Sequence, residues 1–449
     1  MQLMSPHEPL LVNLCHCGSG RKFKHCHGVL AATPAAGVAA GSPELIAAAA
    51  EKFHKRNLAQ AEFLCWRVLD RTPDDPSALA LLGDVAVEIG AFHAAQRYYE
   101  QALRAAPSFA AALAGNARAR GGLDRTAVKR AGRRYLLIKA WGYGFWSDVH
   151  HVVGQLLLAE LTGRIPVVHW GRNSLFRSPQ HENAFESYFE PVSGETIVGL
   201  ANPAFTFFPP KWNCGNLLEE DVSKWAGAHS RAAAIYFLNR DEDVAVSDFH
   251  TGAHELIPWI EPESPYAGLE PADLYRQLFA TYIRLRPHIA DKIDAFWQQR
   301  MRGKKWLAVH VRGSDKLREL PALELHNREC LAYVDRALRA DASLSVFLLT
   351  DSQPILDEYR RRHGERLLCT DCIRVSGEIG VHNAGHAGWQ VAQEVIMDAY
   401  LAARCDYFVG NGGSNVSTTI VHLKNWSPDT CALTGKEFAY QRNPVLNDW

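Results

Sequence analysis

The sequence lacks a long apolar run, and it lacks an excess of charge of either sign. No stretch of about 18 apolar residues occurs, so we expect no membrane span. Lysine and arginine number 48 against 49 acidic residues, and this balance gives no reason to expect binding to nucleic acid or to a membrane surface. Residues 1–8 lack the basic start and apolar core of a secretory signal, so we expect a cytoplasmic protein.

Cysteine is also sparse, since ten cysteines in 449 residues do not make a disulfide framework. Several of them cluster in residues 15–28, which read Cys-His-Cys-Gly-Ser-Gly-Arg-Lys-Phe-Lys-His-Cys-His-Gly. Three thiolates and one imidazole form a set that tetrahedral zinc accepts, and here they would come from Cys15, Cys17, Cys26 and His27.

The segment resembles the SEC-C motif, a zinc-binding module carried by many bacterial proteins. The resemblance implies a small structural zinc module over residues 1–30, with His16 and His25 as alternatives for the fourth ligand. The other interpretation is a Cys/His-rich tail without metal.

A repeat of 34 residues follows the linker at 30–42. Pro73 and Pro107 are separated by this interval, and so are Ala61 and Ala95. The tetratricopeptide pattern is matched by Leu79, Leu82, Gly83, Ala95, Tyr99, Ala102 and Pro107. We therefore predict an all-α, tetratricopeptide-like segment over residues 43–120, either as a groove for a polypeptide acceptor or as a helical brace or dimerisation element.

Strand and helix patterns alternate after residue 133. Residues 134–139 predict a strand, the next glycine-containing loop leads into a helix at about 149–161, and residues 165–169 predict a second strand. Gly142 and Gly144 in that loop would let the backbone approach an anion at the helix N-terminus. A tight turn without a ligand is the alternative.

A second strand-and-loop pair begins at Lys304. The apolar run to Val309 predicts a buried parallel strand, and His310-Val-Arg-Gly-Ser-Asp-Lys316 follows at its carboxyl end, where ligands bind in open α/β sheets. Arg312 and Lys316 suit a phosphate, the first as a bidentate fork and the second as a point charge. A solvated surface turn is the alternative.

Four segments in order over about 135–425 resemble motifs of the α1,6-fucosyltransferases, which include core N-glycan and nodulation-factor enzymes. The first is Gly142-Tyr-Gly followed by His150-His151-Val-Val, and the second is the His310 segment. The third is a strand that ends in Thr350-Asp351. The fourth is a helix with Asp398 that leads to the Ser414-Asn415 loop.

The resemblance implies a GT-B-like core of two Rossmann-like halves, 133–300 on the acceptor side and 301–449 on the GDP-sugar side. It implies inverting transfer of fucose from GDP-fucose to a protein or glycan hydroxyl. The implied donor-binding residues are Gly142, Gly144, His310, Arg312, Asp315, Asp351, Asp398, Ser414 and Asn415. An inverting transfer also needs a base, for which Glu319 and Glu324 are the candidates, beside Arg312 and Lys316 as catalytic cations.

The resemblance also assigns roles to single residues. Arg312, with Ser414 and the amides of Gly412-Gly413, would stabilise the leaving diphosphate in place of a metal. His310 and Asp398 would face the guanine, and Asp315 would hold Arg312. No acidic triplet lies in a plausible metal-binding loop, since Asp241-Glu-Asp243 is typical of a surface turn, so we expect transfer without a metal.

Several positions depart from the family pattern. The family's acidic residue after the lysine is not cleanly placed, since Glu319 lies one position early and Glu324 lies later. Gly313 replaces the second arginine of the His-Val-Arg-Arg motif, Ser352 replaces the second aspartate of an Asp-Asp pair, and Asn415 replaces a glutamine. Two alternatives therefore stay open: the same fold with another nucleotide-sugar donor, or an adaptor with a degenerate nucleotide-binding core.

Overall fold

The computed structural model describes residues 42–123, 132–172, 174–179, 181–218, 232–314, 317, 320–377, 380–381 and 385–442. The chain divides into two compact units. The first comprises residues 1–125, 223–235 and 442–449, and the second comprises 126–222 and 236–441. The predicted zinc ligands lie outside the described residues, and the predicted domain boundaries stay predictions.

The described part of the first unit is helical. Its helices are α1 (Ser42–His54), α2 (Leu58–Leu69), α3 (Pro76–Glu88), α4 (Phe92–Ala105) and α5 (Ala110–Leu123). They begin at residues 42, 76 and 110, and at 58 and 92, so two interleaved series advance in steps of 34. The sequence period is therefore the period of a helical hairpin, while membership in the tetratricopeptide class stays a prediction.

Helix α3 shows why these helices begin where they do. The carboxylate of Asp75 accepts hydrogen bonds from the amides of Ser77 and Ala78, both at 3.0 Å, and so satisfies two amides that have no partner within the helix. Pro76 occupies the first helical position, where its missing amide hydrogen costs nothing.

Small residues let α3, α4 and α5 approach one another. The Tyr99 ring of α4 lies against Gly83 and Gly115, where an added Cβ would come within 2.5 Å and 2.3 Å of ring carbons. The Tyr99 hydroxyl donates to Asp84 at 2.7 Å, and Arg118 binds the same carboxylate at 2.6 Å. The two glycines are therefore required by packing.

The second unit contains two parallel sheets. The first has the order β2-β1-β4-β3. Its strands are β1 (Tyr135–Lys139), β2 (Ile165–His169), β3 (Phe207–Phe208) and β4 (Val244–Ser247). The β1–β2 crossover is α6 (Phe145–Thr162), and the shorter helices of this half are α7 (Ile197–Leu200), α8 (Pro271–Tyr282) and α9 (Pro287–Phe296).

The second sheet has the order β7-β6-β5-β8-β9. Its strands are β5 (Lys305–His310), β6 (Leu344–Leu349), β7 (Leu367–Leu368), β8 (Tyr407–Asn411) and β9 (Cys431–Thr434). Its helices are α10 (Leu323–Ala340), α11 (Gln353–His363), α12 (Gly388–Arg404) and α13 (Asn415–Leu423). Strand β5 is central, and its five residues from Trp306 to His310 are all buried, as the apolar run predicts.

These elements confirm a mixed α/β core with parallel sheets after an all-α segment. Among the described residues, no helix combines the length and apolar character needed to cross a bilayer.

The close packing of the Tyr99 ring against Gly115 can be tested by substitution. Gly115→Ala should destabilise the first unit by about 1–3 kcal/mol, because the new methyl group overlaps the ring of Tyr99, which is fully buried and hydrogen-bonded to Asp84. Urea unfolding followed by circular dichroism would measure the effect. In a Tyr99→Leu background the same substitution should cost much less, and an equal cost in both backgrounds would contradict the proposed overlap.

Candidate functional site

The strand order creates a crevice at the carboxyl edge of the second sheet. From β5 the chain passes to β6 and β7 on one side, and α12 then returns it to β8 and β9 on the other side. The loops after β5 and β8 therefore leave their adjacent strands in opposite directions. Ligands of open α/β sheets bind at such a switch point, so the residues after His310 and Asn411 form the candidate site.

Arg312 is fixed in this crevice by the neighbouring strand. Its Nη1 lies 2.6 Å from Oδ2 of Asp351, which follows β6. The Asp351 carboxylate also accepts the Gly313 amide at 2.8 Å and the Ser314 hydroxyl at 2.5 Å. Asp315, which the resemblance assigns to this role, lies outside the described residues, so in the described structure Asp351 is the partner that orients Arg312.

These contacts also set the charge of Asp351. Burial raises the pKa of its carboxyl, but the Arg312 guanidinium, the Ser314 hydroxyl and the Gly313 amide outweigh burial and hold the pKa below its ordinary value. Asp351 is therefore ionised and engaged by this loop, while its role as a donor-binding residue stays a prediction.

Gly313 is explained by its neighbours. A Cβ at this position would lie 2.6 Å from Cβ of Ser352 and 3.1 Å from Cδ1 of Ile355. The family's arginine cannot occupy the same backbone position unless the Ser352 region moves. Glycine at 313 is therefore required by the packing of this loop, but the overlap involves a Cβ that serine and aspartate share, so it does not explain Ser352.

His310 connects the two sides of the crevice. Its Nδ1 lies 2.7 Å from the Ser417 hydroxyl in α13, and the residue is almost fully buried. Burial, helped by the nearby Arg312 charge, lowers the pKa of His310 to about 3. The imidazole is therefore neutral near pH 7 and can act as a hydrogen-bonding group but not as a cation.

The first amides of the loop after β8 donate hydrogen bonds to other groups of the protein. The Gly412 amide donates to the Thr434 carbonyl at 2.8 Å, and the Gly413 amide donates to the Asn411 side chain at 2.7 Å. The idea that these two amides bind a phosphate is therefore not supported by this structure. The first bond within α13 runs from the Thr418 amide to the Ser414 carbonyl, so the amides at 415–417 are the ones that precede it.

Asp398 lies in α12, the helix that precedes β8. It is 6% exposed, as its apolar flanks predict, and its Oδ1 accepts a bond of 2.5 Å from the Thr370 hydroxyl after β7. Burial raises the pKa of Asp398 to about 6, although Thr370 and Arg374 favour the ionised form. Its contact with guanine stays a prediction.

The glycine loop of the first sheet is organised by Asp148. The Asp148 carboxylate accepts the amides of Gly142 and Tyr143 at 3.1 Å and 3.0 Å. Gly144 is the N-cap of α6, so the helix begins four residues earlier than the sequence predicts. These two amides are therefore engaged by the protein, while an added Cβ at Gly144 would meet no atom within 4 Å, so the backbone there is open.

The carboxyl edge of the first sheet carries polar residues that the sequence analysis missed. Lys139 ends β1 and donates to the Leu217 carbonyl at 2.7 Å, and Asp248, after β4, pairs with Lys211 at 2.9 Å. His169 ends β2, and burial together with Lys139 lowers its pKa to about 4. Each of the three buried groups ends or directly follows a strand, which is the signal that identified His310.

Other predicted residues remain unplaced or unsupported. Lys316 and Glu319 lie outside the described residues. Glu324 is exposed and pairs with Arg328 one helical turn away, as an ordinary solvated ion pair does. Among the described residues, no group of three or more His, Cys, Asp or Glu side chains is arranged to hold a metal ion.

Comparison with known proteins adds a motif and several similar structures. The SEC-C motif matches residues 13–28. No curated protein matches the sequence.

The similar structures are fucosyltransferases. The fucosyltransferase NodZ from Bradyrhizobium is 19% identical with a TM-score of 0.43, over 64% of this chain and 92% of that chain. NodZ α1,6-fucosyltransferase co-crystallised with GDP is 21% identical with a TM-score of 0.42, over 65% and 93%. POFUT1 in complex with GDP-fucose is 13% identical with a TM-score of 0.41, over 69% and 99%.

The raised pKa of Asp398 predicts a pH-dependent stability. A buried acid whose folded pKa lies above its ordinary value of 3.8 costs stability as the pH rises through about 6, and it costs nothing below about pH 4. Asp398→Asn should therefore unfold at a higher urea concentration than the parent above pH 6 and match it near pH 4. The difference is on the order of 3 kcal/mol at about 1.4 kcal/mol per pKa unit.

Urea unfolding at several pH values measures this difference. Asp371→Asn, at an exposed position of the same loop region, is the matched control and should show no such pH dependence. A parallel pH profile for Asp398→Asn and the parent protein would mean that Asp398 is not the titrating group.

Proposed function

We propose that the protein is a glycosyltransferase that transfers a sugar, with fucose as the first choice, from a GDP-sugar to a protein or glycan hydroxyl. The observation that carries this proposal is the Arg312–Asp351 pair at the switch point of the second sheet. The order of the four sequence motifs supports it, since all four lie in the two parallel-sheet halves of the second unit.

The arginine suits the chemistry of the leaving group. When the bond between the sugar and GDP breaks, negative charge develops on the β-phosphate and must be stabilised. Arg312 is already oriented by the largely buried carboxylate of Asp351, and the Arg312 side chain keeps 22% of its accessible surface. A fixed guanidinium of this kind binds phosphate oxygens without being reorganised during the reaction.

The crevice offers further groups for the donor. The first turn of α13 brings backbone amides and the positive end of a helix dipole to the edge of the crevice, where they favour a diphosphate. Neutral His310 and the Asp398 carboxyl are the proposed guanine contacts. A carboxylate accepts hydrogen bonds only, as the donor edge of guanine requires and as adenine does not.

The transfer itself needs a base that removes the proton of the acceptor hydroxyl. Glu319 remains the proposed base because it lies next to the Arg312 loop in sequence, whereas Glu324 is solvated and paired. An attack from the face opposite to GDP inverts the anomeric carbon. The helical unit is the proposed docking element for a polypeptide acceptor.

The zinc module is proposed as structural. The thiolates of Cys15, Cys17 and Cys26 and the imidazole of His27 form a donor set that matches tetrahedral zinc, and the SEC-C match covers all four. The metal would hold together a segment too short for a core of its own. No step of the proposed transfer uses it.

Ligand binding tests the donor assignment. GDP and GDP-fucose should raise the thermal unfolding temperature, because a ligand at about 100 times its Kd adds about 2.7 kcal/mol of stability, whereas UDP and ADP should not. Arg312→Ala should abolish the shift, and Asp351→Asn should weaken it by releasing Arg312. GDP-mannose distinguishes a different sugar with the same nucleotide.

The control is Arg361→Ala, which removes an exposed arginine from α11 in the same half and should keep the full shift. If no guanine nucleotide shifts the parent protein, the transferase assignment is wrong and the adaptor alternative gains support.

Metal analysis tests the zinc module. The purified protein should contain one zinc ion per chain, and Cys17→Ser should lose most of it because one thiolate ligand is gone. Cys369→Ser, at a free and partly buried cysteine of the second sheet, should keep the zinc. Equal zinc content in both variants would contradict the ligand set.

A further inference from the structure

Helix α13 is one of the elements at which the two α/β halves meet. Its own half contributes His310, whose Nδ1 lies 2.7 Å from the Ser417 hydroxyl. The other half contributes His150 from α6, whose Nε2 lies 3.1 Å from the Thr419 hydroxyl. Two buried histidines, one from each half, thus hydrogen-bond side chains in the first turns of the same short helix.

The second contact extends to the start of the helix. The Asn415 side chain hydrogen-bonds His150, and it does so from the first residue of α13. Asn415 and Thr419 are four residues apart and so lie on the same helix face. His150 therefore fixes both the rotation and the position of the turn that carries the amides at 415–417.

The surroundings leave His150 little freedom. Its ring centroid lies 5.5 Å from that of Tyr275 and 5.3 Å from that of His422, and Tyr275 stacks on His422 at 4.3 Å with an angle of 4°. Burial is the main cause that lowers the pKa of His150 to about 3. The ring is therefore neutral and acts through hydrogen bonds, not through charge.

We infer that His150 is a positioning residue for the donor diphosphate: it fixes the N-terminal turn of α13 from the acceptor-side half. This inference rests on the proposed function, because it assigns the amides of that turn to the GDP phosphates. It also assigns a role to the double-histidine segment, which lies in α6 and outside the donor half.

The arrangement couples the two halves. A phosphate bound at the start of α13 is held at a place that His150 defines, so the acceptor-side half sets part of the donor geometry. Loss of the His150 contact should loosen that turn and weaken GDP binding, while the sheet cores stay intact.

A double-mutant cycle tests the inference. His150→Phe keeps a ring and removes the hydrogen bonds, and Thr419→Val keeps the shape and removes the hydroxyl. Each should weaken GDP binding, His150→Phe by about tenfold, as measured by calorimetry. The double variant should lose no more than His150→Phe alone, because that variant already lacks the bond to Thr419. His150→Gln, whose amide can reach the position of Nε2, should recover most of the affinity.

Hydrogen exchange of the free protein provides a second readout that does not depend on GDP. In His150→Phe the amides at 415–419 should exchange several-fold faster, with the strands of both sheets unchanged. His151→Phe is the matched control: it alters the neighbouring buried histidine of α6, whose Nε2 lies 3.1 Å from the Lys139 carbonyl oxygen, and should leave both GDP affinity and this exchange unchanged.

The outcomes separate the two proposals. If the parent protein binds no GDP, the proposed function fails, and exchange alone then decides whether His150 positions α13. If the parent binds GDP and His150→Phe changes neither affinity nor exchange at 415–419, the positioning role is wrong. Additive losses in the double variant would also overturn it.

Discussion

The largely buried carboxylate of Asp351 is the constraint on which the candidate site depends. A charge removed from water is stable only when donors surround it, and here a guanidinium, a hydroxyl and an amide from one loop do so. The end of β6 thereby fixes the shape of the chain after β5. Ser314, with a positive φ of 50°, takes a strained conformation within this arrangement. The strain and the ion pair together give Arg312 one position.

Much of the core could be predicted because its signals are local. Short apolar runs gave the strands around Leu137, Val167 and Leu307, and a polar residue directly after a strand is a visible sign of the ligand-binding edge. The 34-residue interval of the helices is equally local. Lys139 and Asp248 also lie at the carboxyl ends of strands, so the same pattern could have predicted them. Only the glycines of the loop after β1 were considered in the sequence analysis.

The partners within the site could not be predicted, because they are distant in sequence and depend on packing. Asp315 and Asp351 are equally suitable partners for Arg312 on chemical grounds, and only the adjacency of β5 and β6 gives the contact to Asp351. The sequence gives no partner for the amides of Gly412 and Gly413, but in the structure they donate to the Thr434 carbonyl of β9 and to the Asn411 side chain. The contact from His150 to Thr419 joins residues 269 positions apart and has no sequence signal at all.

The lack of space between Gly313 and Ser352 has a consequence for how the sequence can evolve. Because a side chain at 313 would overlap the serine Cβ at 2.6 Å, the order in which these positions change matters. A side chain at 313 is tolerated only after position 352 has become glycine or its loop has shifted. Substitutions at 313 are therefore epistatic with changes at 352 or in the loop that carries it.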